Sequence, residues 1–196
     1  MKSIRTYTLT AIFAALTLAG FAQKQSPPEG SQPQDFKLPA TDTKKLQNGL
    51  TSTLVPYGNI PKVHVQVIIK TGNVHEGPEE IWLSDLTGNL LQEGTKTMDS
   101  KTIARKVAGM GGQVNVSTGE NQTIISGSVL SEFGPALIAV LADIAMNPAF
   151  PEAELGRLKN DLKRQLTVQK SVPQAQAQEK FRGAIYGDHP YGRIFP

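Results

Sequence analysis

Residues 63–69 read Val-His-Val-Gln-Val-Ile-Ile, so Val63, Val65, Val67 and Ile69 alternate with His64, Gln66 and Ile68. Successive side chains of a strand point to opposite faces, and this alternation predicts a strand. A hairpin is expected just before it. Asn48-Gly49, inside Leu46-Gln47-Asn48-Gly49-Leu50, supplies the positive φ angles of a two-residue turn, and Leu50 to Val55 continues as a strand. Two more strands, 113–117 and 123–130, flank a turn at Thr118-Gly119-Glu120-Asn121.

Helical spacing fills the intervals. Pro78 suits a first turn, Glu79 and Glu80 suit its positive end, and Trp82, Leu86 and Leu90 recur four apart, predicting a helix over about 78–92. Asp99 or Ser100 caps the next, with Ile103, Val107 and Met110 on one face. Pro135 opens a helix that stops at Asn147-Pro148. Pro151 opens a long one with Leu155, Leu158, Leu162 and Leu166 on one stripe, and a last helix runs from Pro173 to Tyr186. The order β-β-β-α-α-β-β-α-α-α gives an α+β fold. It is read as a two-layer sandwich, a mixed or antiparallel sheet with helices on one face.

The N-terminus reads as an export signal. Lys2 and Arg5 precede an apolar run from Leu9 to Phe21, and Gly20-Phe21-Ala22 offers a small-x-small cleavage site ahead of Gln23. The run is short for a hydrocarbon core of about 30 Å, so cleavage is expected over anchoring. A membrane role would come only through the uncleaved segment, and the expected location is periplasmic or secreted. Residues 23–40, with Pro27, Pro28, Pro33 and Pro39, read as a flexible linker, so folding starts near Thr41. Residues 41–196 then form one domain. Its close on Gly192-Arg193-Ile194-Phe195-Pro196, directly after a helix, suggests a piece of a longer protein.

Charge and composition exclude several functions. Lys and Arg number 20 against 17 Asp and Glu, and without Lys2 and Arg5 the balance is 18 against 17. Such a chain has no general attraction for nucleic acid, and aromatics at 6% are sparse for base stacking. Cysteine is absent, which removes disulfides, thiolate zinc sites and a Cys nucleophile. Gly109-Met110-Gly111 begins like a dinucleotide fingerprint, but position 114 is Val114 and the run follows a predicted helix. The sequons at Asn115 and Asn121 carry little weight. His64, His75 and His189 show no pairing four apart on a helix, so each reads as structural.

Short stretches between Phe36 and Arg193 stand in a telling order. They are the Leu46–Leu50 hairpin, Gly72 to Glu76 as Gly-x-x-x-Glu, and Leu90-Leu91-Gln92-Glu93-Gly94-Thr95. Gly111-Gly112 with Asn115, then Phe150-Pro151-Glu152, then His189-Pro190-Tyr191-Gly192-Arg193 follow. Together they resemble the insulinase/pitrilysin family, zinc peptidases that include mitochondrial processing peptidase.

In that family an H-x-x-E-H helix supplies two zinc-binding histidines and a water-activating Glu, with a further Glu as third ligand. Aligned on Gly94-Thr95, the motif falls on Asp85-Leu86-Thr87-Gly88-Asn89, and the third ligand on Gln165. Asp85 and Asn89 stand at the histidine positions and Gly88 at the catalytic Glu. Zinc prefers imidazole with carboxylate support, and hydrolysis needs a base. The resemblance therefore implies the family's fold without its chemistry, with no zinc expected. Asp85, Asn89 and Gln165 offer oxygen donors that suit Ca²⁺ or Mg²⁺, but those ions want about six or more. The expectation is a hydrogen-bonded polar cluster with Gln165 part-buried.

The resemblance also implies peptide binding. Family members add extended peptide to the sheet edge at Gly-Gly-x-x-Asn, here Asn115, Val116 and Ser117; an ordinary strand is the plain alternative. Three readings follow: an exported non-catalytic subunit paired with an active zinc peptidase of the same family, an active zinc metalloendopeptidase, and a binding or assembly module unrelated to proteolysis.

Overall fold

The computed structural model describes Gly30 and residues 39–193. The expected signal segment over 1–22 and nearly all of the expected linker over 23–40 lie outside them. The chain divides into two units, Met1–Gly58 and Asn59–Pro196. In the first, strands β1 (Asp42–Lys45) and β2 (Thr51–Leu54) pair antiparallel, Lys45 opposite Thr51. The turn is longer than the expected two residues. Leu46 N donates to Leu50 O, and Gln47, Asn48 and Gly49 lie between them. Gly49 takes φ 88°, and the Asn48 carboxamide instead accepts from Leu50 N at 3.1 Å.

The second unit holds β3 (Lys62–Ile69), α1 (Leu83–Leu91), α2 (Ser100–Gly109), β4 (Gln113–Thr118), β5 (Thr123–Leu130), α3 (Gly134–Met146), α4 (Glu152–Lys170) and α5 (Pro173–Tyr186). Short 3-10 turns occupy Asn73–His75, Ser131–Phe133 and Pro190–Gly192. The element order matches that read from the sequence. The sheet is antiparallel throughout, ordered β3-β5-β4, with Val65 opposite Gly127 and Asn115 opposite Ser126. β4 is therefore an edge strand among the described residues.

Alternation decides the faces. Val116, Ile125 and Val129 are buried on one side with Ile103 and Val107 of α2 and Leu137, Val140, Leu141 and Ile144 of α3. His64, Gln66, Asn115 and Ser117 are exposed on the other. Helices thus cover one face, as expected of a half-buried antiparallel sheet. α3 comes so close that a Cβ on Gly127 would stand 2.8 Å from Leu137 Cδ1. Glycine at that strand position is what lets the helix seat. α4 packs on α1 through a stripe in which Leu158 and Leu162 are buried, and α5 packs on α4.

One helix start settles an alternative that the sequence left open, and another differs from the sequence reading. Asp99 caps α2, its carboxylate accepting from Thr102 N at 2.7 Å. α1 starts at Leu83, not near Pro78. Residues 77–80 instead form a turn, with Glu80 N donating to Gly77 O, and Trp82 has a left-handed φ of 70°. The reason lies in how this helix is capped.

Candidate functional site

α1 carries Asp85, Gly88 and Asn89. Its first amides are satisfied from a distance, because the Trp82 position offers no side-chain cap. Glu76, buried, accepts from Trp82 N at 2.9 Å and from Ser84 N at 2.7 Å. A carboxylate at a helix N-terminus meets unpaired N–H groups and the positive end of the dipole. Reaching it requires the chain to loop out over 77–82, which ends the longer helix that the spacing of Trp82, Leu86 and Leu90 predicted.

Asn73 completes the arrangement. It is almost wholly buried, and its amide donates to Glu76 Oε1 at 3.2 Å and to Asp85 Oδ2 at 2.6 Å. One amide group thus joins two carboxylates. The 72–76 segment is itself fixed by backbone bonds, Asn73 N to Gly119 O and Val74 N to Glu120 O. The C-terminal signature clamps it from the other side. Arg193 Nη1 donates to Glu76 O at 2.8 Å; beside it, Tyr191 O–H donates to Asn121 Oδ1 at 2.6 Å and Arg182 of α5 pairs with Glu120, both at the β4–β5 turn.

Gly88 is buried against the sheet. A Cβ there would lie 2.3 Å from Thr118 Oγ1, with Thr118 Cβ at 3.6 Å and Val116 Cγ1 at 3.8 Å. The Thr118 hydroxyl donates to Ser84 O at 3.3 Å, so it holds its place. A side chain at position 88 would meet the Thr118 hydroxyl of β4 at its first atom.

The four positions lie on two packed helices, α1 and α4, and the burial expected of one of them differs. Gln165 on α4 is exposed, and no side-chain hydrogen bond joins it or Asn89 to Asp85 among the described residues. It lies beyond the buried Leu158 and Leu162 on a helix whose packed stripe excludes it. The polar cluster that does form is Asn73–Glu76–Asp85. Gly72 to Glu76 was legible as a pattern, but the capping role of Glu76 was not, because the partner amides lie across a loop.

These residues do not fit zinc. The donors at the four positions are one carboxylate and two amides, with no imidazole, and Asp85 is already committed to Asn73. His64 bonds Ser128 Oγ at 2.7 Å on β3, His75 sits against Gly72, and the His189 ring accepts from Tyr191 N. Among the described residues no group of three or more His, Asp or Glu is arranged to hold a metal. Asn115 and Ser117 are exposed on β4, while Val116 points into the core.

A family profile described as Insulinase (Peptidase family M16) matches residues 55–195, most of the chain. The chain belongs to the insulinase family. An uncharacterized zinc protease of Rickettsia bellii is 30% identical over 152 residues, 78% of this chain and 37% of that protein. The mitochondrial-processing peptidase subunit alpha of Solanum tuberosum is 26% identical over 159 residues, covering 81% and 31%. A crystal structure of a peptidase M16 inactive domain from Pseudomonas fluorescens shares the fold, with a TM-score of 0.73 at 24% identity over 79% of this chain and 38% of that one. The insulinase-family chain thus spans about a third of the length of these relatives.

Two predictions follow from the site. Burial pushes the Asp85 carboxyl above its ordinary value; the Asn73 hydrogen bond opposes this and the Glu76 charge adds to it. With the folded pKa above the unfolded one, the native state holds more protons between the two values. Asp85 therefore lowers stability as pH rises through its folded pKa, and the burden is relieved as pH falls towards 3.8. Asp85→Asn should raise the melting midpoint near pH 7, with the gain shrinking near pH 4; an equal gain at both would refute the assignment.

The second concerns Gly88. Gly88→Ala should cost about 1–3 kcal/mol by overpacking. In a Thr118→Ala background the cost should vanish, since the remaining contacts are of ordinary length. A denaturant double-mutant cycle measures the coupling, and additive effects would contradict the contact.

Proposed function

We propose that this protein is an exported, non-catalytic insulinase-family subunit that binds extended peptide at the β4 edge and works beside a zinc-bearing subunit of the same family. The observation that carries the reading is the closed site. Gly88 provides no general base, and Thr118 stands where such a side chain would go. The helix that carries this position is nonetheless firmly held, by the Glu76 cap and, through Glu76, by the Arg193 clamp. A fold kept around a position without its chemistry suits a partner role better than hydrolysis.

Three further observations support it. A protein of the same fold is named an inactive domain, and another relative is named as a subunit. β4 has no strand on its outer side among the described residues, and main-chain pairing there needs no particular side chain. Export rests on Lys2, Arg5 and the apolar run to Phe21. In this reading the protein itself holds no zinc, and Asn115 and Ser117 flank the bound peptide on the solvent face.

The test uses purified protein with added zinc and a mixed peptide substrate, then a pulldown from exported extract. The protein alone should give no cleavage. The pulldown should recover an H-x-x-E-H protein whose turnover rises when this chain is added. Cleavage by the purified chain would overturn the non-catalytic reading. Failure to recover such a partner, or unchanged turnover, would overturn the subunit role.

A further inference from the structure

α3 is apolar on its outer side as well as its inner one. Leu137, Val140, Leu141 and Ile144 face the core, and a surface helix with one buried face normally turns polar residues outward. Here the outward side carries Pro135, Ile138, Ala139, Ala142 and Met146. Ile138 is 54% exposed and Met146 71%. Asp143 is the one charged residue of the helix, and its carboxylate is held within the chain, accepting from Thr97 Oγ1 at 2.9 Å and from Asn147 Nδ2 at 2.9 Å. A helix that is apolar all round is expected to be covered on both sides.

The spacing of the outer seam selects the cover. Pro135, Ala139, Ala142 and Met146 stand four, three and four residues apart, so they line one side of the helix. Read from either end the spacing is the same, and both middle residues are alanine. A two-fold interface must match its own image, residue i of one copy meeting j of the other and j meeting i. Turned end for end, this seam does so. Ala139 comes opposite Ala142 of a second copy, and Met146 opposite its Pro135. The short alanines let the two axes approach to about 8 Å, the near end of helix packing distances.

The ends of the seam match in charge. Glu132 is exposed just ahead of α3, and Lys96 is exposed beside its other end, the Lys96 backbone N–H donating to Asn147 O at 2.9 Å. Neither side chain is in an ion pair among the described residues. The same rotation sets Asn147 opposite Gly134 of the second copy, two residues from its Glu132. Each Glu132 thus arrives at the end of the helix pair that carries Lys96 of the other copy. Parallel packing would instead bring like charges together at each end.

We infer that the outer seam of α3 is a self-association surface whose occupant is a second copy of this chain, packed antiparallel across a two-fold axis. The inference rests neither on the β4 edge nor on the zinc-bearing partner. One helix pair buries less than the roughly 1,200 Å² of a standard interface, so the dimer is weak, with half-association at about 10–100 µM.

Sedimentation velocity of the purified chain, from tenfold below to tenfold above that range, tests it. Ala139→Glu, at an exposed position, should weaken dimerisation at least tenfold and leave the melting midpoint of the dilute chain unchanged. Lys96→Glu should weaken it roughly two- to fivefold at low salt, and adding Glu132→Lys should restore it. The chain has no cysteine, so oxidation of introduced ones reads the pairing sense. Pro135→Cys mixed with Met146→Cys should give a disulfide-linked mixed dimer. Neither variant alone should link, because like residues of an antiparallel pair then lie about 16 Å apart along the axis, beyond disulfide reach.

A chain that stays monomeric across the whole range would overturn the inference. So would a dimer that Ala139→Glu leaves intact, since it would be built on another surface. Self-linked dimers of either cysteine variant without the mixed one would overturn the antiparallel seam.

Discussion

The Glu76 carboxylate is the interaction on which the site depends. It satisfies the first amides of α1 from outside the helix, and Asn73 ties it to Asp85 within that helix. Removing it would leave buried N–H groups without partners, at about 1–3 kcal/mol for each group. The loop that delivers it is held by the β4–β5 turn on one side and by Arg193 on the other. Elements far apart in sequence thus converge on one helix end, and the orientation of α1 against the sheet follows from them.

That orientation makes position 88 decisive. With α1 seated this closely on β4, any Cβ at 88 would displace the Thr118 hydroxyl. The absence of a side chain at 88 and the close seating of the helix go together. A catalytic Glu would require Thr118 to give way and the helix surface to reopen. Asp85, turned to Asn73, serves the cap and not an open coordination site. The contacts that seat α1 run through Glu76, Asn73 and Asp85 and need no metal.

Much of the fold was legible because it rests on local chemistry. The alternation from Val63 to Val67 set the faces of β3, and α5 runs from Pro173 to Tyr186 as its sequence suggested. What escaped the sequence depends on long-range partners. The spacing of Trp82, Leu86 and Leu90 suggested a longer helix, but a cap arriving from Glu76 shortened it. Gln165 looked part-buried beside a leucine stripe, yet the packed face of α4 centres on Leu158 and Leu162. Thr118 carried no signal at all, since its role exists only once β4 lies against α1. The positions Asp85, Gly88 and Asn89, assigned by their distance to Gly94-Thr95, lie on α1 as expected of a helix; the polar cluster that joins Asp85 to Asn73 and Glu76 had no sequence signal.

The central claim is that an insulinase-family frame here surrounds a site closed to zinc chemistry. Elemental analysis of the purified protein, prepared without chelator and after exposure to zinc, addresses it most directly. The account predicts zinc far below one equivalent per chain and no change in melting midpoint on adding the metal. One tightly held equivalent of zinc, with a raised midpoint, would contradict it.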